Sequence, residues 1–242
     1  GGDGTMYELI NGMLERKDQK MLPIGLITGG TGNSFMYDVN CLDPIEAAKR
    51  ISNFKLRPID IAQVQTKDEN FYAPDFTLKN INDEMISLSD VRGTKGTLVM
   101  FICNHCPYVK AVTKDIVEDC KKLKDIGINS VAICANDAEN YPEDSFENMI
   151  KFSKENQFGF PYLVDETQEI AKTYDAVCTP DFFGYNKDLE LQYRGRIREL
   201  QNLKPTENGD SELKKAMKMI AKSNKGPNEQ FPSMGCSIKW FQ

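Results

Sequence analysis

The stretch GTLVMFICNHCPYV, Gly96 to Val109, decides the fold of this 242-residue chain. Its first eight residues are almost all apolar, which is typical of a strand buried on both faces of a sheet. Two cysteines follow, and Pro107 then suits the start of a helix, because its missing N–H would be unpaired there in any residue. The stretch therefore predicts a buried strand that turns into a helix, with Cys103 and Cys106 at the turn.

A C-x-x-C motif at such a turn is typical of a redox-active dithiol. The first sulfur would lie at the helix N-terminus, where unpaired backbone N–H groups and the helix dipole stabilise a thiolate. Such surroundings lower thiol pKa values to roughly 3.5–7.5, against about 8.5 for free cysteine. His105, the one histidine of the sequence, lies inside the motif and is predicted to tune the thiolate. Cys103 is thus the predicted nucleophile, and Cys106 the thiol that resolves a mixed disulfide.

A metal site is the main alternative, because C-x-x-C is also half of a four-cysteine zinc site. The sequence has no second C-x-x-C or C-x-x-H, although Cys178 and Cys236 could approach in space. A chance pair of cysteines fits the strand-to-helix context less well. We predict a redox site with no metal and no organic cofactor, and we keep a structural metal-binding module as an alternative.

Strands and helices alternate after the motif. A helix is predicted from Pro107 to about Ile126, and helical periodicity returns near residues 143–157. Further strands are predicted in INSVAICAN and FPYLVDE, a short helix in ETQEIAKTY, a hairpin in DFFGYN-KD-LELQYRG, and a last helix from Asp210. This order starts as α/β and ends as antiparallel β, which predicts a mixed sheet.

From about Phe71 to the end, the sequence resembles the thioredoxin-like superfamily, and within it the redoxin branch that includes peroxiredoxin-like and thiol-reductase proteins. The motifs that carry the resemblance are YAPDFTLKNINDEMISLSDVRG, CNHCPYV, VCTPDFFGYN and the closing PSMGCSIKW. The resemblance implies an α/β, thioredoxin-like fold with a central mixed sheet flanked by helices. It also implies that Pro180 is a cis-proline facing the two cysteines, with the Thr179 backbone presented to a disulfide substrate.

The sequence departs from the superfamily pattern inside the motif. Ile102 stands where an aromatic residue is usual, and Asn-His separates the two cysteines. A histidine just before the second cysteine resembles the strongly oxidising members, in which the reduced thiolate is stabilised. The reaction direction stays open, so a thiol–disulfide oxidoreductase and a peroxiredoxin-like antioxidant enzyme are both predicted. The partner would be a thiol or disulfide protein, or a peroxide.

Two of the remaining cysteines, Cys178 and Cys236, have two interpretations each. Cys178, next to Thr179, is either a small buried hydrophobe or a neighbour of the thiol pair. Cys236, in the Gly-Cys-Ser tail, is predicted to be exposed, and is either inert or a third redox thiol. Cys120 and Cys134 fall in a predicted helix and a predicted buried strand, so we expect them in the core.

The first 64 residues have a different character. GGDGT, at residues 1–5, leads into a helix, and GGTGN, at residues 29–33, follows the strand LPIGLIT. Glycines let backbone N–H groups approach phosphates, although each pair alone can also be a tight turn. The segment resembles the catalytic domain of diacylglycerol and sphingosine lipid kinases. That resemblance implies contacts to ATP and Mg²⁺ from Gly2, Asp3, Gly4 and Thr5, supported by Gly30, Thr31, Gly32 and Asn33.

This kinase-like segment is incomplete. The family's first strands and its whole C-terminal β-rich domain, which carries the lipid pocket, have no counterpart in the sequence. We therefore predict a partial α/β nucleotide-binding fragment at residues 1–64, a linker at 65–70 and a redoxin domain at 71–242. The fragment would be a remnant, a gene-fusion product or an assembly artefact that binds nucleotide at most.

The composition of the chain narrows the classes of partner that it is expected to bind. The formal net charge is −6 and the pI is near 5.1, so a nucleic-acid-binding basic face is not expected. No run approaches the ~18 apolar residues of a membrane span. The acidic composition favours the cytoplasm. Because the chain opens on Gly1, we expect the natural N-terminus, with any targeting segment, to be missing.

Overall fold

The computed structural model describes residues 43–53, 71–206 and 209–241. The chain divides into two units, Gly1–Thr66 and Lys67–Gln242. In the first unit the described helix is α1, Pro44–Ser52, which Asp43 caps: its side chain accepts the Ile45 N–H at 2.9 Å. Both glycine motifs and the proposed linker lie outside the described residues, so the nucleotide-site and domain-boundary predictions stay predictions.

The second unit is built on one large mixed sheet. The described strands are β1 Thr77–Asn80, β2 Met85–Ser87, β3 Gly96–Phe101, β4 Ile128–Cys134, β5 Tyr162–Val164, β6 Cys178–Thr179, β7 Asp181–Asn186, β8 Leu191–Gly195, β9 Leu200–Gln201, β10 Lys204–Pro205 and β11 Cys236–Ser237. Within the described residues, seven of them form a sheet in the order β2-β1-β5-β4-β3-β7-β8. β3, β4 and β5 run parallel, whereas β1, β2, β7 and β8 pair antiparallel.

Helices cover both faces of this sheet. They are α2 Leu88–Val91, α3 Pro107–Lys124, α4 Phe146–Glu155, α5 Glu169–Thr173 and α6 Glu212–Ser223, with a 3₁₀ turn at Pro142–Asp144. Side chains alternate along β3, so Leu98 and Met100 pack with α3 and α6, while Val99 and Phe101 pack with α2 and α5. The predicted fold, a central mixed sheet flanked by helices, is confirmed.

Several predicted boundaries shift by a few residues. The helix from Pro107 ends at Lys124, because Gly127 adopts a left-handed φ of 87° that turns the chain into β4. The helical stretch near 143–157 is split, because the Ser145 hydroxyl caps a new helix start. The pairing of β11 with β6 was not predicted at all, since two-residue strands leave no periodicity in a sequence.

None of the helices in the described ranges is long and apolar enough to cross a membrane.

The centre and the edge of the sheet should differ sharply in sensitivity to truncation. Leu98 is fully buried on β3, whereas Met85 is 60% exposed on edge strand β2. Leu98→Ala should lower the free energy of unfolding by ~2–5 kcal/mol, because it leaves a cavity. Met85→Ala should change it by about 0.5 kcal/mol or less. Urea unfolding measures both, and equal effects would contradict this strand order.

Candidate active site

The two cysteines lie where the fully buried strand β3 gives way to α3. The Ile102 N–H still donates to the Ile133 carbonyl at 3.0 Å, so the sheet ladder extends to the residue before Cys103. Pro107 then opens α3. The side chains of Cys103 and Cys106 are both 0% exposed. This conformation therefore holds the predicted thiol pair at the helix N-terminus, but closed to solvent.

Thr179 contacts both sulfurs. Its Oγ1 lies 3.2 Å from the Cys103 Sγ, and its carbonyl accepts a hydrogen bond from the Cys106 thiol at 3.1 Å. The peptide bond between Thr179 and Pro180 is cis. The structure thus brings together four of the predicted residues, Cys103, Cys106, Thr179 and Pro180, although their catalytic roles stay predictions.

A buried carboxylate, which sequence reasoning missed, organises the turn between the cysteines. Asp144 accepts the Asn104 N–H at 2.7 Å, the His105 N–H at 3.3 Å and the Asn136 amide at 2.7 Å. Its other contact is His105 Nδ1, at 2.6 Å from Oδ2. Because a carboxylate accepts hydrogen bonds, Nδ1 of His105 carries a proton. Nothing in the local pattern around Asp144 signals this role, since it lies about forty residues downstream on the 3₁₀ turn.

Asp144 changes the predicted electrostatics of the motif. Two backbone N–H groups of the turn between the cysteines, those of Asn104 and His105, are bound to this carboxylate and not to a sulfur. His105 pairs with the same carboxylate and stacks on the Tyr141 ring, with centroids 5.8 Å apart. The predicted tuning of the Cys103 thiolate by His105 stays a prediction; in this structure the His105 ring contacts Asp144.

The two thiols share one hydrogen bond, and this bond separates their pKa values. The pKa of Cys106 lies well below its usual range, because the Cys103 thiol donates to its sulfur and the Val109 N–H and Cys236 add further donors. The pKa of Cys103 is raised by that same bond, by burial and by the Asp144 charge. The Thr179 carbonyl favours the thiol form of Cys106, but the donors outnumber it. The shared hydrogen bond therefore lowers the pKa of Cys106 relative to that of Cys103, whereas the sequence predicts the thiolate on Cys103.

Cys236 and Cys178 both lie near the pair, on two paired short strands. Cys236 of β11 lies opposite Thr179 of β6, and it is half-buried where the sequence predicted exposure. Cys178 is 8% exposed and donates weakly to the Pro180 carbonyl at 3.5 Å. Burial raises the pKa of Cys178 to about 12, which fits the small-hydrophobe reading.

The other two described cysteines lie in the core. Cys120 on α3 is 6% exposed and Cys134 on β4 is 2% exposed, as predicted. Desolvation raises the pKa of each thiol to about 12. Both are therefore poor nucleophiles.

Within the described residues, one group of side chains could together bind a metal ion. Ligand atoms of Cys103, His105 and Asp144 lie within 4.8 Å of one another. However, the His105 and Asp144 atoms already bind each other at 2.6 Å, and backbone N–H groups hold the same carboxylate. A metal would have to break these bonds and would find no second pair of thiolates in the set. The donor set fits a hydrogen-bonded turn better than a zinc site.

Comparison with known proteins identifies two segments. Residues 71–200 match the AhpC/TSA family, and residues 1–64 match the diacylglycerol kinase catalytic domain. The thiol-disulfide oxidoreductase ResA of Bacillus thuringiensis is 26% identical over 143 residues, which are 59% of this chain and 75% of that protein. Sphingosine kinase B of Dictyostelium discoideum is 40% identical over 67 residues, which are 26% of this chain but only 9% of the kinase.

A solved structure supports the fold. An uncharacterized conserved protein from Geobacillus kaustophilus superposes with a TM-score of 0.68 at 43% identity, over 71% of this chain and 92% of that one. The kinase match spans less than a tenth of the lipid kinase, whereas the redoxin match covers more than half of this chain. The chain therefore belongs to the AhpC/TSA family, with its thioredoxin-like domain preceded by a fragment of a diacylglycerol kinase catalytic domain.

Proposed function

We propose that the chain is a thiol–disulfide oxidoreductase in which Cys103 and Cys106 cycle between dithiol and disulfide. Membership of a redoxin family supports the oxidoreductase class. One observation carries the finer proposal: two thiols share a hydrogen bond at a helix N-terminus, and both contact Thr179 beside a cis-proline. Neither a metal nor an organic cofactor is required for this chemistry.

The reaction balances with a partner disulfide as oxidant. The two protein thiols form one S–S bond and release two protons and two electrons. The partner S–S bond takes up both and yields two partner thiols. With a hydroperoxide in place of the disulfide, the same two electrons and two protons yield an alcohol and water. A thiol protein or a peroxide is therefore the proposed partner, and a cytoplasmic location stays a prediction.

His105 is proposed as a positioning residue in this reaction. The Asp144 charge disfavours a thiolate on Cys103. A proton on His105 Nδ1 offsets that charge at 2.6 Å. The pair thereby holds the turn between the cysteines while limiting the electrostatic penalty on the thiols.

The assignment of the resting thiolate can be tested by thiolate absorbance at 240 nm. Reduced protein should show a step well below the ~8.5 of free cysteine. Cys106→Ser should abolish this step, because it removes the ionised sulfur. Cys103→Ala should only move it to higher pH, because the Cys106 thiolate loses one donor. The reverse pattern would restore Cys103 as the thiolate.

Turnover tests the proposed function itself. Wild-type protein should reduce insulin disulfides or consume a hydroperoxide when an external dithiol supplies electrons. Cys103→Ser and Cys106→Ser should both fall far below the wild-type rate, because neither variant can form the Cys103–Cys106 disulfide. Cys120→Ser, a buried cysteine on the same helix, is the matched control and should retain wild-type rates. Absence of both activities in the wild type would refute the proposal.

A second candidate function concerns residues 1–64, which match the diacylglycerol kinase catalytic domain. We propose that this segment binds ATP without completing a kinase. Fluorescent ATP titration should then show binding that Gly4→Ala weakens by about tenfold, or ~1.4 kcal/mol, because a Cβ obstructs approach of the backbone to phosphate. Equal binding by both proteins would contradict the glycine motif, and phosphorylation of diacylglycerol would contradict the fragment assignment.

A further inference from the structure

The C-terminal segment lies beside the thiol pair as an added strand. β11 pairs antiparallel with β6, so that Cys236 lies opposite Thr179. Thr179 is itself in contact with both Cys103 and Cys106. Cys236 is therefore paired across the two strands with the residue that contacts both sulfurs.

This placement is fixed from both sides of the cysteine. Before it, the Ser233 hydroxyl donates to the Gly195 carbonyl at 2.9 Å. After it, Ile238 is 3% exposed in the core, and the Lys239 carbonyl accepts the Asp137 N–H at 2.8 Å. The strand is thus an anchored part of the domain.

Gly235 allows the strand to come this close. A Cβ at this position would lie 2.1 Å from the Thr179 carbonyl oxygen and 3.0 Å from the Pro180 nitrogen. No side chain can be accommodated there without moving the strand. A larger residue at 235 is therefore a way to displace Cys236 without altering any thiol.

Cys236 packs against the buried cluster that contains Cys103 and Cys106. Hydrogen bonding from Cys236 lowers the pKa of Cys106, and the charge of Cys106 raises the pKa of Cys236. Cys103 and Cys106 are fully buried, whereas Cys236 is partly exposed. A partner disulfide cannot reach either member of the pair in this conformation, but it can reach Cys236.

We propose that Cys236 is a third redox residue, which relays the disulfide between an external partner and the buried Cys103–Cys106 pair. This inference rests on the dithiol function proposed above. It states how a partner disulfide gains access to the buried pair: the disulfide reacts first with Cys236.

The relay consists of three exchanges. In the first exchange Cys236 passes its proton to the Cys106 thiolate and attacks the partner disulfide RSSR. The products are the mixed disulfide Cys236–SR and the leaving thiolate RS⁻. RS⁻ then takes the proton from Cys106 and leaves as RSH, so that Cys106 is again a thiolate. The Cys106 thiolate then attacks the Cys236 sulfur, and the second RS⁻ leaves. Finally Cys103 gives its proton to that RS⁻ and attacks Cys106, so the Cys103–Cys106 bond forms and Cys236 leaves. One disulfide is consumed and one is formed, so electrons balance.

The electrostatics suit the return direction of this relay, in which Cys236 attacks the Cys103–Cys106 disulfide. Burial raises the pKa of Cys236, and its hydrogen bond to Cys106 and the charge of that thiolate raise it further. Two of these causes disappear once Cys106 lies in a disulfide. Cys236 is then a better nucleophile toward the oxidised pair, so the last exchange can also run backwards when an external thiol reduces the protein.

Disulfide mapping and reduction kinetics test the relay on the full chain. Cys103→Ser, oxidised with oxidised glutathione and alkylated in acid, should yield a Cys106–Cys236 disulfide by mass spectrometry. In the otherwise wild-type chain, Cys236→Ser should slow reduction of the Cys103–Cys106 disulfide by ~0.1 mM dithiothreitol about tenfold, because a tethered thiol has an effective concentration in the mM range. Gly235→Val should slow it similarly with every thiol retained, and Cys178→Ser should not.

Each outcome decides a separate claim. A Cys106–Cys178 disulfide in place of Cys106–Cys236 overturns the relay. The relay is also overturned if no disulfide to Cys236 forms and Cys236→Ser is reduced at the wild-type rate. Neither result affects the proposed dithiol function. A wild-type chain whose Cys103–Cys106 pair never forms a disulfide overturns both.

Discussion

The hydrogen bond between the thiols of Cys103 and Cys106, made in a site closed to solvent, is the interaction on which the rest of the active-site account depends. A shared proton means that the two sulfurs cannot ionise independently, so one of them carries the charge and the other supports it. Burial makes that charge costly unless donors surround it. Cys103, the first turn of α3 and the tail strand therefore lower the pKa of Cys106 together, while the Thr179 carbonyl opposes them.

Asp144 has the opposite effect on thiol ionisation. A buried carboxylate beside a thiol pair works against ionisation, yet this one is held by two backbone N–H groups, an amide and the His105 ring. It fixes the conformation of the turn between the cysteines at an electrostatic cost to Cys103, and the imidazole limits that cost. The role proposed for the histidine inside the motif is thus an indirect one, through the carboxylate.

Much of the fold could be predicted from the sequence, because the buried strand before Cys103, the proline after Cys106 and the hairpin at residues 181–195 are local signals. The pairing of Thr179 and Pro180 with the motif came from a family resemblance. Asp144 and the β6–β11 pair could not be predicted, since both depend on contacts between residues 40 to more than 50 positions apart and leave no periodicity. The effect of Asp144 and Cys236 on the two thiol pKa values could not be predicted for the same reason, because both residues come from distant segments.

The central claim is that Cys103 and Cys106 form one two-electron couple. Equilibration of the full chain in glutathione buffers, followed by acid quenching and alkylation, measures it most directly. The account predicts one transition in which both thiols disappear together, with ~30 mV per tenfold change in the ratio of oxidised to reduced protein. Thiols that stay free across the whole range, or that are lost independently as separate glutathione adducts, would contradict it.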